Sequence, residues 1–385
     1  TWMLSTTRFR PVVPVERPDI PVGCRLNHPF FRRRWRIFKD RNIDRWLTEG
    51  FEPSVHGGPR PRTFVPRFRQ PTRADAQILI EAFTKWTHTG AVRWLRDDEG
   101  RILELDMRQR HRMADLFDEP EKVCILPTFV VHQGDKKRPI INGKEPNWYQ
   151  NVRSFKINYI QNLRTAVRPN DWGTSVDIKD MFLHAALGRN MRLWSHALVY
   201  TPDGKARILC VLSVFFGTKG GPFVFQYLMN RVNGYFGREH RTRVPGQMDD
   251  YVPLRSTMRD AIVFTLRYVR FLVWLGWIVH EHTPKRKKTC LTPRQTITAL
   301  GATINTKIMF WAMKREKARA MTKALRHAYN RATAEGLTVR DLQSLQGDCA
   351  WAATFSAAGR QAYAALRDCP LCRGKIEQKT SVLIP

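Results

Sequence analysis

Acidic residues are scarce in this chain of 385 residues: Asp and Glu number 34 against 65 Lys and Arg, a formal net charge of +31. Any carboxylate in an apolar segment is therefore conspicuous. Long hydrophobic runs are also missing. The strongest, Phe271 to Val279, is too short for a membrane span, so a membrane is not among the expected partners. Seven scattered cysteines, an odd number, argue against a disulfide framework and for a reducing compartment. No internal repeat is visible. The sequence does not open on Met, and its first forty residues are rich in Arg and poor in acid. Those features fit the neighbourhood of a processed organellar presequence, which makes the mitochondrion the compartment to consider.

What is present is a hydrophobic fraction of 43%, enough for a real core, under a strongly cationic surface. A field of that size attracts polyanions, and Lys or Arg contacts to phosphate release counterions. RNA or DNA is the expected partner. Residues 1–70 are rich in Pro and Arg and read as a basic N-terminal arm. Within it Phe30-Phe31-Arg32-Arg33-Arg34-Trp35-Arg36 interleaves rings with guanidinium groups. Arg32, Arg33, Arg34 and Arg36 are thus candidate nucleic-acid contacts, the competing reading being a solvated tail.

From Thr72 to about Leu95, Ala76, Leu79, Ile80, Phe83 and Trp86 recur at helical spacing. β-type runs follow at 123–131, 139–142, 173–178 and 209–216. Helical patterns cover 223–232 and 258–279, and helix dominates from 314 to 367, with Thr338 as an N-cap. Strands mixed with helices, then a helical end, give an α+β class. The expected division is an arm at 1–70, a mixed region at 71–313, a helical region at 314–367 and a tail at 368–385.

Two acidic places stand out. Ser175-Val176-Asp177-Ile178-Lys179-Asp180-Met181-Phe182 puts a carboxylate at the end of an apolar strand; Met248-Asp249-Asp250-Tyr251 puts a pair at a hairpin turn. Burying an unpaired carboxylate is expensive, whereas carboxylates from separate strands make a hard-oxygen site for Mg²⁺. Two such ions can clamp the attacking and leaving oxygens of a phosphoryl transfer. An Asp-Asp pair alone is usually only turn chemistry.

Together with their surroundings these segments resemble reverse transcriptases. Asp171-Trp172 leading into Ser175 to His184 looks like the first catalytic motif, in a form similar to that of the DIRS-type (tyrosine-recombinase) retroelements. Phe216-Gly217-Thr218-Lys219-Gly220-Gly221-Pro222 resembles the second motif, and Gln247-Met248-Asp249-Asp250 the Tyr-x-Asp-Asp box. Arg138-Pro139-Ile140-Ile141-Asn142 looks like the fingers strand, Leu275-Gly276-Trp277, Lys288 to Pro293 and Leu300 to Ile304 the palm's end and primer grip, and Thr338 to Leu342 with Gly359-Arg360 the thumb side. The likeness runs in order from about 45 to 365.

The resemblance implies a right-hand polymerase of fingers, palm and thumb, with an antiparallel palm sheet. It implies RNA-templated DNA synthesis with two Mg²⁺ ions. Asp177 and Asp249 would be the principal ligands, with Asp250 beside them. Phe182 would lie under the sugar of the incoming nucleotide, the competing reading being a core aromatic after a strand; Gly217 would admit backbone close to the nucleotide, and Arg138 would hold its triphosphate. Lys288, or a neighbour among Lys285, Arg286 and Lys287, would protonate the pyrophosphate; equally, this is a solvated basic loop touching phosphates. Four departures stand against the pattern: His132-Gln133-Gly134-Asp135 replaces the usual lysines, Gln247 replaces the Tyr, Pro253 interrupts the hairpin's continuation, and Lys219-Gly220-Gly221 alters the second motif. A domesticated derivative serving as a structural RNA-binding component of a ribonucleoprotein, such as an organellar ribosome alongside other proteins, is the alternative. Cys369 and Cys372 have the spacing of half a zinc knuckle, but without a second pair nearby two free thiols are the default.

Overall fold

The computed structural model describes residues 16–55, 70–106, 115–134, 136–152, 159–281, 289–299, 301–334, 336–368 and 381–382, with the single residues 108, 113 and 155. Lys285, Arg286, Lys287, Lys288, Cys369 and Cys372 fall outside them. The chain is mixed α+β and divides into two compact units. The first holds 1–157, 176–251 and 263–291; the second holds 158–175, 252–262 and 292–385. This division differs from the linear one: residues 292–313 group with the helical end, and the N-terminal segment groups with the mixed region. No helix among the described residues is long and apolar enough to cross a membrane.

In the first unit, Arg25–Phe38 is a chain of short helical turns rather than an extended arm. His28 caps the turn that starts at Pro29, its Nδ1 accepting from Phe30 N, and Pro29 at the first position loses no needed donor. Phe31 and Trp35 are fully buried, and Trp35 Nε1 donates to Leu275 O at 2.8 Å. Gly276, at φ +103°, passes so close that a Cβ there would stand 2.8 Å from the Phe31 ring. Helix α1 (Arg41–Glu49) follows, capped by the Asp40 carboxylate and burying Ile43, Trp46 and Leu47. The expectation of an arm extended through residue 70 therefore fails over this stretch, because its aromatic side chains have a core to enter.

Helix α2 (Arg73–His88), capped by Thr72, buries Ala76, Leu79 and Phe83 as the spacing predicts. The principal sheet of this unit takes β1 (Val92–Trp94), β2 (Ile125–Gln133), β3 (Lys136–Ile141), β5 (His196–Tyr200) and β6 (Ala206–Val211), β4 belonging to a separate group of strands below. Its order is β1-β6-β5-β2-β3, antiparallel except for the β2–β5 pair, and Glu104–Leu105 pairs with β6 off this path. Helix α3 (Lys144–Tyr149) follows β3.

A second sheet joins β4 (Trp172–Asp177), β7 (Gly246–Gln247) and β8 (Asp250–Tyr251), with β8 antiparallel between the other two, and Leu254–Arg255 and Cys290–Arg294 also pair with β4. Helix α4 (Gly221–His240) buries Val224, Phe225, Leu228, Met229, Val232 and Phe236, a stripe at three- and four-residue steps. Helix α5 (Met258–Trp274) contributes Tyr268, Val269, Leu272 and Val273 to the same core.

The second unit has a three-stranded antiparallel meander, β9 (Thr296–Ala299), β10 (Ala302–Asn305) and β11 (Phe310–Met313). Ile297, Ala299 and Ile304 pack with Leu163, Val167, Val252 and Leu254. Pro253 sits where the pairing lapses between Tyr251 and Leu254, and its carbonyl accepts from Thr174 N at 3.2 Å. Proline thus keeps its acceptor role where it cannot donate. Three helices close the unit: α6 (Arg315–Ala334), α7 (Val339–Ala353) and α8 (Ala357–Asp368). Thr338 and Asp341 form a reciprocal capping box at the start of α7.

Candidate active site

The two acidic motifs meet through strand register. Asp250 on β8 is the Cα partner of Asp177 on β4, so both side chains leave the same face of an antiparallel pair. Asp249 lies one residue away in the turn, and its carbonyl accepts from Ile178 N at 2.8 Å. Gln247 and Asp250 pair across the hairpin, so Met248 and Asp249 are the two central residues of a tight loop. Such loops need a positive φ, and Met248 supplies it at +52°. A residue with a Cβ in that region costs on the order of 1–2 kcal/mol, which fixes the turn in a conformation that ordinary packing would not choose.

Charge is crowded here. The Asp250 carboxyl is pushed up to about 7, first by burial and then by the negative charges of Asp177 and Asp249. A folded-state value above the ordinary one means that ionising the group works against folding, increasingly so as pH rises from about 4 to 7. The penalty is on the order of a few kcal/mol. A divalent cation held by the three carboxylates would remove it, and hard oxygen donors suit Mg²⁺. Among the described residues no group of three or more His, Cys, Asp and Glu side chains is set to hold a metal as it stands. Asp177 has two further neighbours: Thr289 Oγ1 accepts from its backbone N at 3.1 Å, and His280 Nε2 lies 3.4 Å from its carboxylate. His280 escapes notice in the sequence, since nothing local distinguishes it.

Beyond Asp177 the chain turns at Asp180, in the left-handed region at φ 47°, into a short helical turn carrying Phe182. That ring is buried, 4.5 Å from Phe216 and 4.9 Å from Phe225 between centroids. Phe216 itself is 54% exposed and forms the outer layer of this pair. His184 in the same turn is wholly buried: its Nδ1 faces Asp180 O, and its Nε2 accepts from Ile278 N. Burial lowers its pKa to about 3, so it is a neutral structural residue.

Gly217 adopts φ +113°, and a Cβ there would stand 3.0 Å from Ile141 O. Asn147 holds the turn, donating from Nδ2 to Gly217 O at 2.5 Å and accepting from Lys219 N at 2.7 Å. An open pocket of about 870 Å³ is lined by Ile140, Asn142, Trp148, Tyr149, Gly217 and Lys219, among others. Trp148 on its rim is 79% exposed. Arg138 and Lys136 are exposed on β3, on the strand face of Ile140; Ile141, on the opposite face, lines the pocket as well. Lys137 points the other way. His132, in the place of an expected lysine, is engaged with Asp75, Nε2 to Oδ1 at 2.9 Å.

The arginines of the N-terminal segment divide by role. Arg34 is committed to Glu16 at 2.7 Å and stacks 5.2 Å from the Trp274 ring; its hydrogen bond lowers the Glu16 pKa. Arg32 is half-buried, whereas Arg33 and Arg36 are exposed. Arg25, not singled out by its sequence, is fully buried and donates to the carbonyls of Gly276, Arg17, Ile20 and Glu16.

No family model matches the chain, and no curated protein matches its sequence. Among solved structures it is similar to a foamy viral protease-reverse transcriptase in complex with double-stranded DNA. The TM-score is 0.51 and the identity 13%, over 89% of this chain and 54% of that one. The chain therefore spans about half the length of that protein. At this identity the likeness concerns the fold alone, which is reverse-transcriptase-like.

Proposed function

We propose that this chain is the polymerase core of a reverse transcriptase, of the DIRS-type group by its motifs, making DNA on an RNA template. The observation that carries the proposal is the register of Asp177 against Asp250, with Asp249 in the adjoining turn and a carboxyl raised to about 7 among them. A strongly basic chain that gathers three carboxylates at one strand end needs a cation there.

Asp177 and Asp249 would hold two Mg²⁺ ions, with Asp250 supporting, and these would supply charge neutralisation for attack of a primer 3′-hydroxyl on an α-phosphate and departure of pyrophosphate. The protein's own part is placement. The strained Met248-Asp249 turn fixes the carboxylates before substrate arrives. Phe216, layered on Phe182, presents an apolar ring where a sugar would lie, and a 2′-hydroxyl would meet that ring unpaired. Gly217 leaves room for close approach, and Arg138 with Lys136 offers cations to the triphosphate. Fingers, palm and thumb would then correspond to the principal sheet, the β4–β7–β8 strands and the terminal helices.

A second reading is favoured by His132, whose engagement with Asp75 takes the place of a triphosphate-binding lysine. On that reading the fold is domesticated and serves as a structural RNA-binding part of a ribonucleoprotein such as a mitochondrial ribosome.

Primer extension on an RNA template with Mg²⁺ and dNTPs separates the two. The expected result is extension that Asp177→Asn reduces by at least about a thousandfold. Mg²⁺ should also raise the Tm of the parent protein and leave that of Asp177→Asn nearly unmoved. Extension undiminished in the variant would overturn the proposal; no extension, with RNA still bound, would establish the second reading.

A further inference from the structure

One surface of the first unit is not used by the carboxylate site. There Phe38, Tyr235, Phe271 and Trp274 form a continuous ladder of half-buried rings from three separate segments. Phe38 meets Tyr235 at 5.7 Å, Tyr235 stacks on Phe271 at 5.7 Å and 17°, and Phe271 stacks on Trp274 at 6.0 Å and 15°. The Arg34 guanidinium then lies 5.2 Å from Trp274 and 4.3 Å from Phe30. A ladder so interlocked holds its rim in fixed positions.

That rim is cationic. Arg33 and Arg36 are exposed and three residues apart in a 3-10 turn, where such positions eclipse. On α5, Arg267 and Arg270 are exposed beside Phe271 on the same helical stripe; on α4, Arg238 is exposed one turn beyond Tyr235. Two nearby carboxylates are engaged elsewhere: Glu16 with Arg34, and Asp40 with Arg231 and Tyr227. Glu239 is an exposed acid on α4, and Asp260 one at the start of α5.

We propose that this rim is a second nucleic-acid surface, binding the sugar-phosphate backbone of a single strand. Exposed guanidinium groups at fixed spacing suit phosphates, and partly exposed ring edges between them suit bases without regard to sequence. The arrangement extends the arginine–aromatic run at 30–36 into a surface completed by α4 and α5. Its occupant is independent of whether the carboxylate site catalyses.

The test is salt-dependent binding of the full chain to a 20-nucleotide single-stranded RNA, with single-stranded DNA of the same sequence as a second arm. The variant Arg33→Gln/Arg36→Gln/Arg267→Gln/Arg270→Gln removes four rim cations. For comparison, Arg73→Gln/Lys85→Gln/Arg93→Gln/Arg189→Gln removes four exposed cations elsewhere in the same unit. Circular dichroism and Tm establish that both fold. The rim variant should weaken binding on the order of ten- to a hundredfold and lower the slope of log affinity against log salt by about 3. The comparison variant should change each much less. Equal losses in the two would reduce the effect to overall charge and overturn the proposal. So would an unchanged slope in the rim variant, or an oligoglutamate of equal length binding as tightly and losing as much. Loss with RNA but not DNA, or the reverse, would assign the surface to one of the two.

Discussion

Helices α4 and α6 are both twenty residues long, yet they are made in opposite ways. α4 contains three glycines and several bulky residues of middling helix propensity, and it buries one whole side. α6 is rich in alanine and long basic side chains, good helix formers, and buries only Met321. The first is a helix because the core requires it, the second because its own backbone prefers it. The carboxylate site stands on elements of the first kind. A catalytic constellation needs supports locked by packing, and the strained Met248 turn persists only where its surroundings over-determine it.

The comparison is most sharply tested by truncation. Phe225, fully buried between Phe182 and Trp277, should cost about 4 kcal/mol as Phe225→Ala, measured by urea unfolding. Leu325→Ala on α6, where the residue is 40% exposed, should stay within about 0.5 kcal/mol. Similar costs at the two sites would remove the distinction.

Acid acts on the packed unit through His184 and Asp250 in opposite directions, and His184 carries the destabilising part. Its folded pKa of about 3 lies below the ordinary value, so the unfolded chain takes up the proton at higher pH than the folded one. Its contribution is complete above about pH 7 and is lost as pH falls through 6.5 toward 3. The expected loss from this group alone is about 2 kcal/mol between pH 8 and pH 5, against an opposite contribution from Asp250, whose raised pKa makes its protonation favour the fold over the same range. His184→Gln, although less stable overall, should lack that part of the slope.

A smaller effect belongs to the helical end. Thr338→Ala removes the hydroxyl that accepts from Asp341 N, and should cost about 1 kcal/mol of the second unit's stability. Hydrogen exchange in α7 reads it, and an unchanged protection pattern would mean that the cap is redundant.

Much of this was legible in the chain. Thr72 and Thr338 act within a few residues of themselves, and the stripe at Ala76, Leu79 and Phe83 needs only helical geometry. The strand ending at Asp177 and the acidic hairpin could be located, although their pairing depends on a register that no local rule supplies. The reading of the N-terminal segment as an arm fails for a physical reason. Pro and Arg are the composition of a solvated arm, and 3-10 turns bury residues at no period that a helix or strand template detects. Arg25 carries no local signal, because only the fold brings four carbonyls to its guanidinium. His280 and the exposed Phe216 gained their neighbours from segments far away in sequence.

The bond from Trp35 to the Leu275 carbonyl joins residues 240 positions apart. On a ribosome adding about 5–20 residues per second, Trp35 leaves the exit tunnel on the order of ten to fifty seconds before its acceptor is made. Phe31, Trp35 and Trp46 must spend that interval without their core, on a segment dense in arginine. Charge repulsion then keeps the nascent aromatic run from collapsing on itself or on its neighbours. The same cations that read as a nucleic-acid signature would in this way act as a built-in solubiliser during synthesis.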